Sequence, residues 1–275
     1  MVACLNIRIK HYLFAIFLGI IFIIPVFSLS IYGFKHRPIL GGIQIDIRKY
    51  YPVSGYLSII SYGPCSVGYK AKKWISGKLK YGYITSSHCI NNTLGGSNWI
   101  WRIFQNIATT YNPLVNYAGS PEYYNINFDV AFIPYSDVID FILSVDIYGD
   151  TKPLDIVGFI TWEQLEYMFA TGLLNSELIY KSGRTTGSTS GNILALARQL
   201  YGRWNYVIIS NYLRAGGDSG GPTYFKYYEW VDGYYETYVK LVGLHFGGDD
   251  TSIGSVGYSV SVDKIAQYTG VEPIY

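Results

Sequence analysis

Charge and cysteine are both scarce in this chain of 275 residues. Only 15% of it is Asp, Glu, Lys or Arg, the formal net charge is +2, and the basic residues are scattered rather than gathered into runs. Nucleic-acid binding needs a concentrated basic face, so that class of partner is excluded. There are three cysteines and four histidines. Neither H-E-x-x-H nor a cluster of Cys and His occurs, so no metal site and no cofactor is implied. Internal repeats and low-complexity linkers are missing as well. With 49% hydrophobic residues the chain can bury a sizeable core, which excludes a disordered protein.

Long apolar runs are absent with one exception, at the N-terminus. Arg8, Lys10 and His11 precede "YLFAIFLGIIFIIPVFSLS", and Ser28 and Ser30 place small residues at a cleavage site. Residues 1–30 read as a secretory signal peptide or, if uncleaved, as a membrane anchor. The stretch from Tyr12 to Phe27 approaches the lower limit for a spanning helix, although Pro25 interrupts it. The expectation is a secreted protein that meets a membrane only if this segment is retained. Residues 31–40 form a short segment before the folded region. Cys4 lies in the part that would be removed, which leaves Cys65 and Cys89 as a pair. One disulfide is the simplest outcome; it closes a loop of about 25 residues and contributes roughly 3.5 kcal/mol in an oxidising compartment. The alternative is two buried free thiols.

What the chain does contain is Tyr, Val, Ile, Thr and Ser in short runs broken by Gly, Asn, Asp and Pro, the composition of strands and turns. An all-β fold follows. In "YFKYYEWVDGYYETYVKLVGL" two β-rich runs flank Asp232-Gly233, a pair suited to a tight primed turn. Two segments break the pattern. "TWEQLEYMFATGLL" places Trp162, Leu165, Met168 and Phe169 on one helical face, with Thr161 and Gln164 as a capping box. "SVDKIAQYTG" has Ser261 as N-cap, Ile265 and Ala266 inward and Gly270 as a stop, which predicts a short C-terminal helix.

The chemistry concentrates in "RAGGDSGGPTY", residues 214 to 224. Glycines at 216, 217, 220 and 221 remove side chains on both sides of Ser219, allowing unusual backbone angles and amides that face a substrate oxygen. Such a turn exposes a hydroxyl and builds an oxyanion hole from the amides of Gly217 and Ser219. Serine becomes nucleophilic only when a base takes its proton and a third group orients that base. His11 lies in the signal and His36 before the folded region, which leaves His88 and His245. Asp129, among apolar residues in "NFDVAFIPY", suits an orienting carboxylate, because an ionised group there must be paired. The alternative order, a G-x-S-x-G elbow completed by Asp232 and His245, belongs to α/β-hydrolases and needs alternating helices and parallel strands. The β-rich pattern favours His88, Asp129 and Ser219.

Together, "CSVGY" with "GYITSSHC", "DVAF", "KSGRTTGSTSG" and "GGDSGGP" resemble the chymotrypsin-like serine endopeptidases, specifically the bacterial α-lytic protease and streptogrisin branch. The resemblance implies two six-stranded antiparallel β-barrels, at 41–147 and 179–275, the second carrying the terminal helix, with an interdomain connection at 148–178 that holds the mid-chain helix. It implies His88 as general acid/base, Asp129 as its carboxylate and Ser219 as nucleophile. It also implies that Phe246, Gly247 and Gly248 pair with the substrate backbone. The expected partner is a protein or peptide substrate, met by a monomer. Tyr180 and Ser190 stand where the family has a disulfide, Lys181 replaces an arginine expected to pair with Asp218, and Phe246 replaces a serine that helps hold the aspartate. Arg214 and His245 fall at positions that line the primary pocket in relatives, which implies a preference for Glu or Asp before the cut bond. The competing function is an inactive, membrane-anchored binding module of the same fold.

Overall fold

A computed structural model describes residues 38–53, 56–91, 100–105, 116–251 and 254–275. The proposed signal and most of the segment that follows it lie outside these residues. Strands dominate the first half: β1 (Ile39–Gly41), β2 (Gln44–Val53), β3 (Tyr56–Ser66), β4 (Lys70–Ile75) and β5 (Lys78–Ser86). One helical turn, α1 (His88–Asn91), precedes β6 (Ile100–Phe104), β7 (Tyr117–Gly119), β8 (Tyr123–Asn125) and β9 (Val130–Pro134). Then come β10 (Val138–Val145), β11 (Thr151–Phe159) and α2 (Trp162–Ala170). The second half holds β12 (Ile179–Gly183), β13 (Gly187–Gly191), β14 (Ile193–Leu200), β15 (Trp204–Ser210), β16 (Pro222–Val231), β17 (Tyr234–Thr251) and β18 (Gly254–Ser261). The chain ends in α3 (Val262–Thr269) and β19 (Glu272–Pro273).

The strands make an all-β fold whose sheets follow the two halves of the sequence. β3-β2-β6-β7 and β19-β4-β5-β9-β8 form the first half, while β12 to β18 join β1, β10 and β11 in a ten-stranded sheet. Two details depart from the expected antiparallel barrels. β1 pairs with β10 and β11 with β17 in parallel, and β11 lies in the stretch read from sequence as connection. The chain end returns to the first half, where Glu272 and Pro273 pair with Lys72 and Ala71.

Local chemistry explains the elements. Asp232 and Gly233 adopt φ of 48° and 96°, the primed turn that lets β16 and β17 pair without a break in direction. The capping box at α2 is complete: Gln164 N donates to Thr161 Oγ1 at 3.2 Å and Thr161 N to Gln164 Oε1 at 2.9 Å. Its buried face is narrower than predicted. Trp162 and Leu165 are buried, but Phe169 is exposed near the end of a helix of nine residues. Ser261 occupies the N-cap position of α3 without capping it through its side chain, and Gly270 ends that helix at φ 67°.

Central strands bury both faces. Val207, Tyr224 and Leu241 enter one apolar cluster with Ile84, Phe132 and Leu244, whereas their neighbours Ile208, Phe225 and Val242 enter a second with Trp162, Leu165 and Tyr212. Alternate side chains of a strand point to opposite faces, so one run of β-formers serves two cores. The candidate site is built at strand ends, with His88 after β5, Asp129 before β9 and Ser219 before β16.

Candidate active site

Strand register brings His88 to Asp129. β5 and β9 are antiparallel with Ser86 opposite Val130, so the next residues outward are Ser87, His88 and Asp129. Ser87 N donates to the Asp129 carbonyl at 2.9 Å. Asp129 sits at φ 43°, a left-handed conformation that Asp tolerates better than most residues. The turn before it is an Asx turn, in which Asn125 Oδ1 accepts from the amides of Asn127 and Phe128 at 3.0 and 3.2 Å. Phe128 stacks on Tyr268 with ring centroids 5.4 Å apart.

Asp129 is 3% exposed, and its carboxylate is fully engaged. Oδ1 accepts from Ser87 Oγ at 2.8 Å and from His88 N at 2.9 Å, and Oδ2 lies 2.6 Å from His88 Nδ1. Ser87 therefore supplies a hydroxyl to the carboxylate, the contribution expected from the position that Phe246 occupies. The sequence reading missed this role for Ser87, although its place beside the histidine was the available signal. Burial disfavours the charged His88 ring most strongly, yet the hydrogen bond and charge of Asp129 outweigh that and the repulsion of Arg203, so its pKa lies above the ordinary histidine value.

Ser219 is held at the junction of three strands. Its carbonyl accepts from Ser66 N at 2.8 Å at the end of β3, and Gly220 N donates to the His245 carbonyl at 2.7 Å on β17. That carbonyl also accepts from Ser86 Oγ at 3.1 Å, which ties the serine turn to the strand that carries His88. Gly220, at φ 88°, has no room for a side chain, since a Cβ would sit 2.2 Å from Thr85 Oγ1. Among the amides of 215–221, those of Ala215, Asp218, Gly220 and Gly221 are hydrogen-bonded. Those of Gly216, Gly217 and Ser219 donate to no acceptor among the described residues. Two free amides therefore remain at the positions an oxyanion hole requires.

The predicted disulfide joins Cys65 and Cys89 with Cα atoms 6.5 Å apart. Cys89 Sγ lies 3.9 Å from His88 Nε2 and 4.0 Å from the Ser219 carbonyl oxygen, so the bridge touches the histidine ring and the backbone of the serine turn. Ser219 Oγ donates to the Phe246 carbonyl at 3.4 Å and makes no hydrogen bond to His88 among the described residues. Catalytic hydrogen bonds of free enzymes are commonly loose and tighten when substrate binds.

Asp218 points the other way, into the protein. Its Oδ2 lies 2.8 Å from Lys181 Nζ with both side chains fully buried, and the carboxylate also accepts from Thr185 N, Thr186 N, Thr186 Oγ1 and Ala215 N. Burial opposes its charge, but Lys181 and these donors hold its pKa below the usual carboxylate range. Lysine thus fills the role expected of arginine.

His245 is 1% exposed, and its Nδ1 lies 3.0 Å from Tyr212 OH. Burial, reinforced by the charge of Lys181, pushes its pKa down to about 3, so the ring is neutral. Arg214 donates from Nε to the Val256 carbonyl at 2.9 Å and from Nη2 to Asp250 at 3.0 Å. Of the two basic groups expected in the pocket, only Arg214 carries charge. Gly247 and Gly248 lie on β17 opposite Tyr258 and Gly257 of β18. Phe246 packs on Trp204 with centroids 5.1 Å apart. Asp232 lies at the far tip of the β16–β17 hairpin, eleven residues beyond Gly221 along β16, or roughly 35 Å at strand rise. The α/β-hydrolase constellation is therefore not assembled. No group of His, Cys, Asp and Glu among the described residues is placed to hold a metal ion.

No family model matches the chain, and no curated protein matches it. Solved structures do. Thermobifida fusca Protease A is 18% identical with a TM-score of 0.49, covering 85% of this chain and 97% of its own. The Cellulomonas bogoriensis chymotrypsin is 18% identical with a TM-score of 0.45, covering 86% and 98%. A Nocardiopsis protease is 18% identical with a TM-score of 0.47, covering 85% and 97%.

Proposed function

We propose that the chain is a secreted chymotrypsin-like serine endopeptidase. The observation that carries this reading is the conjunction at one site of a buried carboxylate 2.6 Å from His88 Nδ1 with a serine turn whose Gly217 and Ser219 amides are free. With Asp129 on Nδ1, the neutral ring exposes Nε2 as a base. Ser219 Oγ leaves the Phe246 carbonyl, passes its proton to Nε2 and attacks the peptide carbonyl. The developing oxyanion is received by the two amides, and His88 returns the proton to the leaving amine. Water then repeats the sequence on the acyl-enzyme. The substrate backbone adds as a strand along Phe246, Gly247 and Gly248.

For specificity, the reading keeps a preference for Glu or Asp before the cut bond, with Arg214 as the charged residue. Its partner Asp250 has a side chain 88% exposed, and such a surface pair is weak. A substrate carboxylate can replace Asp250 on the outer face of the guanidinium. His245 contributes polarity without charge. The disulfide supports an oxidising compartment and hence export.

A fluorophosphonate probe tests the core of the reading. Labelling is expected at Ser219 in the folded wild-type protein, with cleavage of casein in the same preparation. An unlabelled, folded protein would return the chain to the binding-module reading. For specificity, the ratio of kcat/KM for matched Glu and Gln peptides is expected to fall about tenfold in Arg214→Gln; an unchanged ratio removes Arg214 from the pocket.

A further inference from the structure

The peptide unit that carries the Gly217 amide is flanked by two glycines, 216 and 217, and Gly217 sits at φ 97°. Glycine imposes almost no barrier to turning such a unit over, and turning it over would place a carbonyl oxygen where the oxyanion forms. Something must hold it. Gly216 O, the opposite end of the same unit, accepts a hydrogen bond from Thr185 Oγ1 at 2.6 Å. In a planar trans peptide the C=O and N–H point in opposite directions, so a carbonyl drawn to Thr185 directs the Gly217 N–H away from it. The companion amide is set by the same logic. Gly221 N donates to Asp218 O at 2.9 Å, which fixes the unit that ends in Ser219 N.

Thr185 is itself anchored. Its amide donates to Asp218 Oδ1 at 2.8 Å, and the amide of its neighbour Arg184 donates at 2.9 Å to Ser66 Oγ, which in turn donates to Gly217 O at 2.9 Å. The loop 184–186 is thus tied to the nucleophile turn at Gly216, Gly217 and Asp218. A Cβ built on Gly217 would lie 2.7 Å from Thr185 Oγ1, which shows how closely the hydroxyl is seated on the turn.

We propose that Thr185 is a positioning residue for the oxyanion hole: its hydroxyl holds the Gly216–Gly217 peptide in the orientation that presents the Gly217 amide to the reacting carbonyl. The proposal rests on the serine endopeptidase reading. Thr185 touches neither the substrate nor the reacting atoms, and acts only through the peptide it holds.

The test compares Thr185→Val, Thr185→Ala and Thr185→Ser with wild type on one quenched-fluorescent peptide, taken from the sites that wild type cuts in casein. Loss of a whole oxyanion donor lowers kcat by about 10²–10³; a donor that is only part of the time misdirected is expected to lower it about 10- to 100-fold in Thr185→Val and Thr185→Ala. KM should stay within about threefold, because ground-state binding does not use the oxyanion donors. Thr185→Ser should recover most of the rate, and a peptide boronic acid should weaken in the Val variant by the same factor as kcat. Wild-type kcat in Thr185→Val, equal losses in Ser and Val variants, or a loss confined to KM would each overturn the proposal. Wild type that neither labels with fluorophosphonate nor cuts casein would instead overturn the endopeptidase reading beneath it.

Discussion

Two buried aspartates stand on either side of Ser219, and the difference between them lies in their partners. Asp129 accepts from a hydroxyl, an amide and the ring of His88. Asp218 accepts from three amides and a hydroxyl and faces the ammonium of Lys181. The Asp218 carboxylate is held below the usual range, and the partners differ in kind: a histidine loses its charge near neutral pH and a lysine ordinarily does not. The Asp218 pair is therefore an ion pair that shapes the turn, although burial lowers the Lys181 pKa against the opposing pull of Asp218. The Asp129 pair is conditional on the charge of His88, and under the proposed mechanism it acts as a hydrogen bond to a neutral base. On the proposed reading, the same carboxylate chemistry serves structure in one place and proton transfer in the other.

The comparison breaks most visibly if the catalytic side is removed. Asp129→Asn is expected to lower kcat by about 10³–10⁴, because an amide stabilises neither the right tautomer nor the imidazolium, and Ser219→Ala should lose at least as much. Neither change should unfold the protein, as measured by thermal melting. Asp218→Asn, by contrast, should act chiefly on stability, and Lys181→Met more so, since it strands a carboxylate that is fully buried. Breaking a buried pair from one side costs about 3–5 kcal/mol, though four donors remain on Asp218, which places the expectation near the lower end. The pH dependence carries the sign. A folded pKa below the unfolded value near 4 means that Asp218 contributes to stability above that pH and loses its contribution as pH falls through the folded pKa. Lys181→Met raises that folded pKa, so the gap in melting temperature between variant and wild type should narrow toward acid. A gap that is constant with pH would mean that the pair is not ionic.

Much of this was legible before any coordinates, and for identifiable reasons. The order of His88, Asp129 and Ser219, the glycines around the nucleophile and the Cys65–Cys89 pair are written in short motifs, and the Asp232-Gly233 turn needs only the φ preferences of two residues. What stayed hidden depends on long-range contact. Ser87 stands visibly beside His88, but that its hydroxyl reaches Asp129 Oδ1 depends on the pairing of β5 with β9. His245 reads from sequence as one of two basic groups of the pocket, because a histidine in sequence carries no sign of its burial; its pKa of about 3 comes from that burial, reinforced by the charge of Lys181. The parallel pairing of β11 with β17 was hidden because a short strand in a connection has no distinctive period. Thr185 is visible in "KSGRTTGSTSG", but its role needs the distance to Gly216 O.

The finest point of the comparison is the histidine itself. Its pKa is raised by Asp129 and opposed by burial and by Arg203, an exposed residue of the turn between β14 and β15 whose guanidinium lies 5.1 Å from the centre of the Trp204 ring. Under the proposed mechanism the base is neutral His88, so activity is expected to fall as pH drops through its folded pKa, which lies above the ordinary value near 6.5. Stability runs with the opposite sign. A raised histidine pKa contributes fully below the unfolded value and is lost as pH rises through the folded one, so the protein gives up some of this pair's stabilisation in the range where it becomes active. Removing the repulsive charge in Arg203→Gln should move the acid limb of kcat/KM to higher pH and leave the plateau rate unchanged, a small effect that Asp129→Asn would mask. An acid limb that does not move, or moves to lower pH, would mean that the Arg203 charge does not reach the ring and that Asp129 and burial alone set the base.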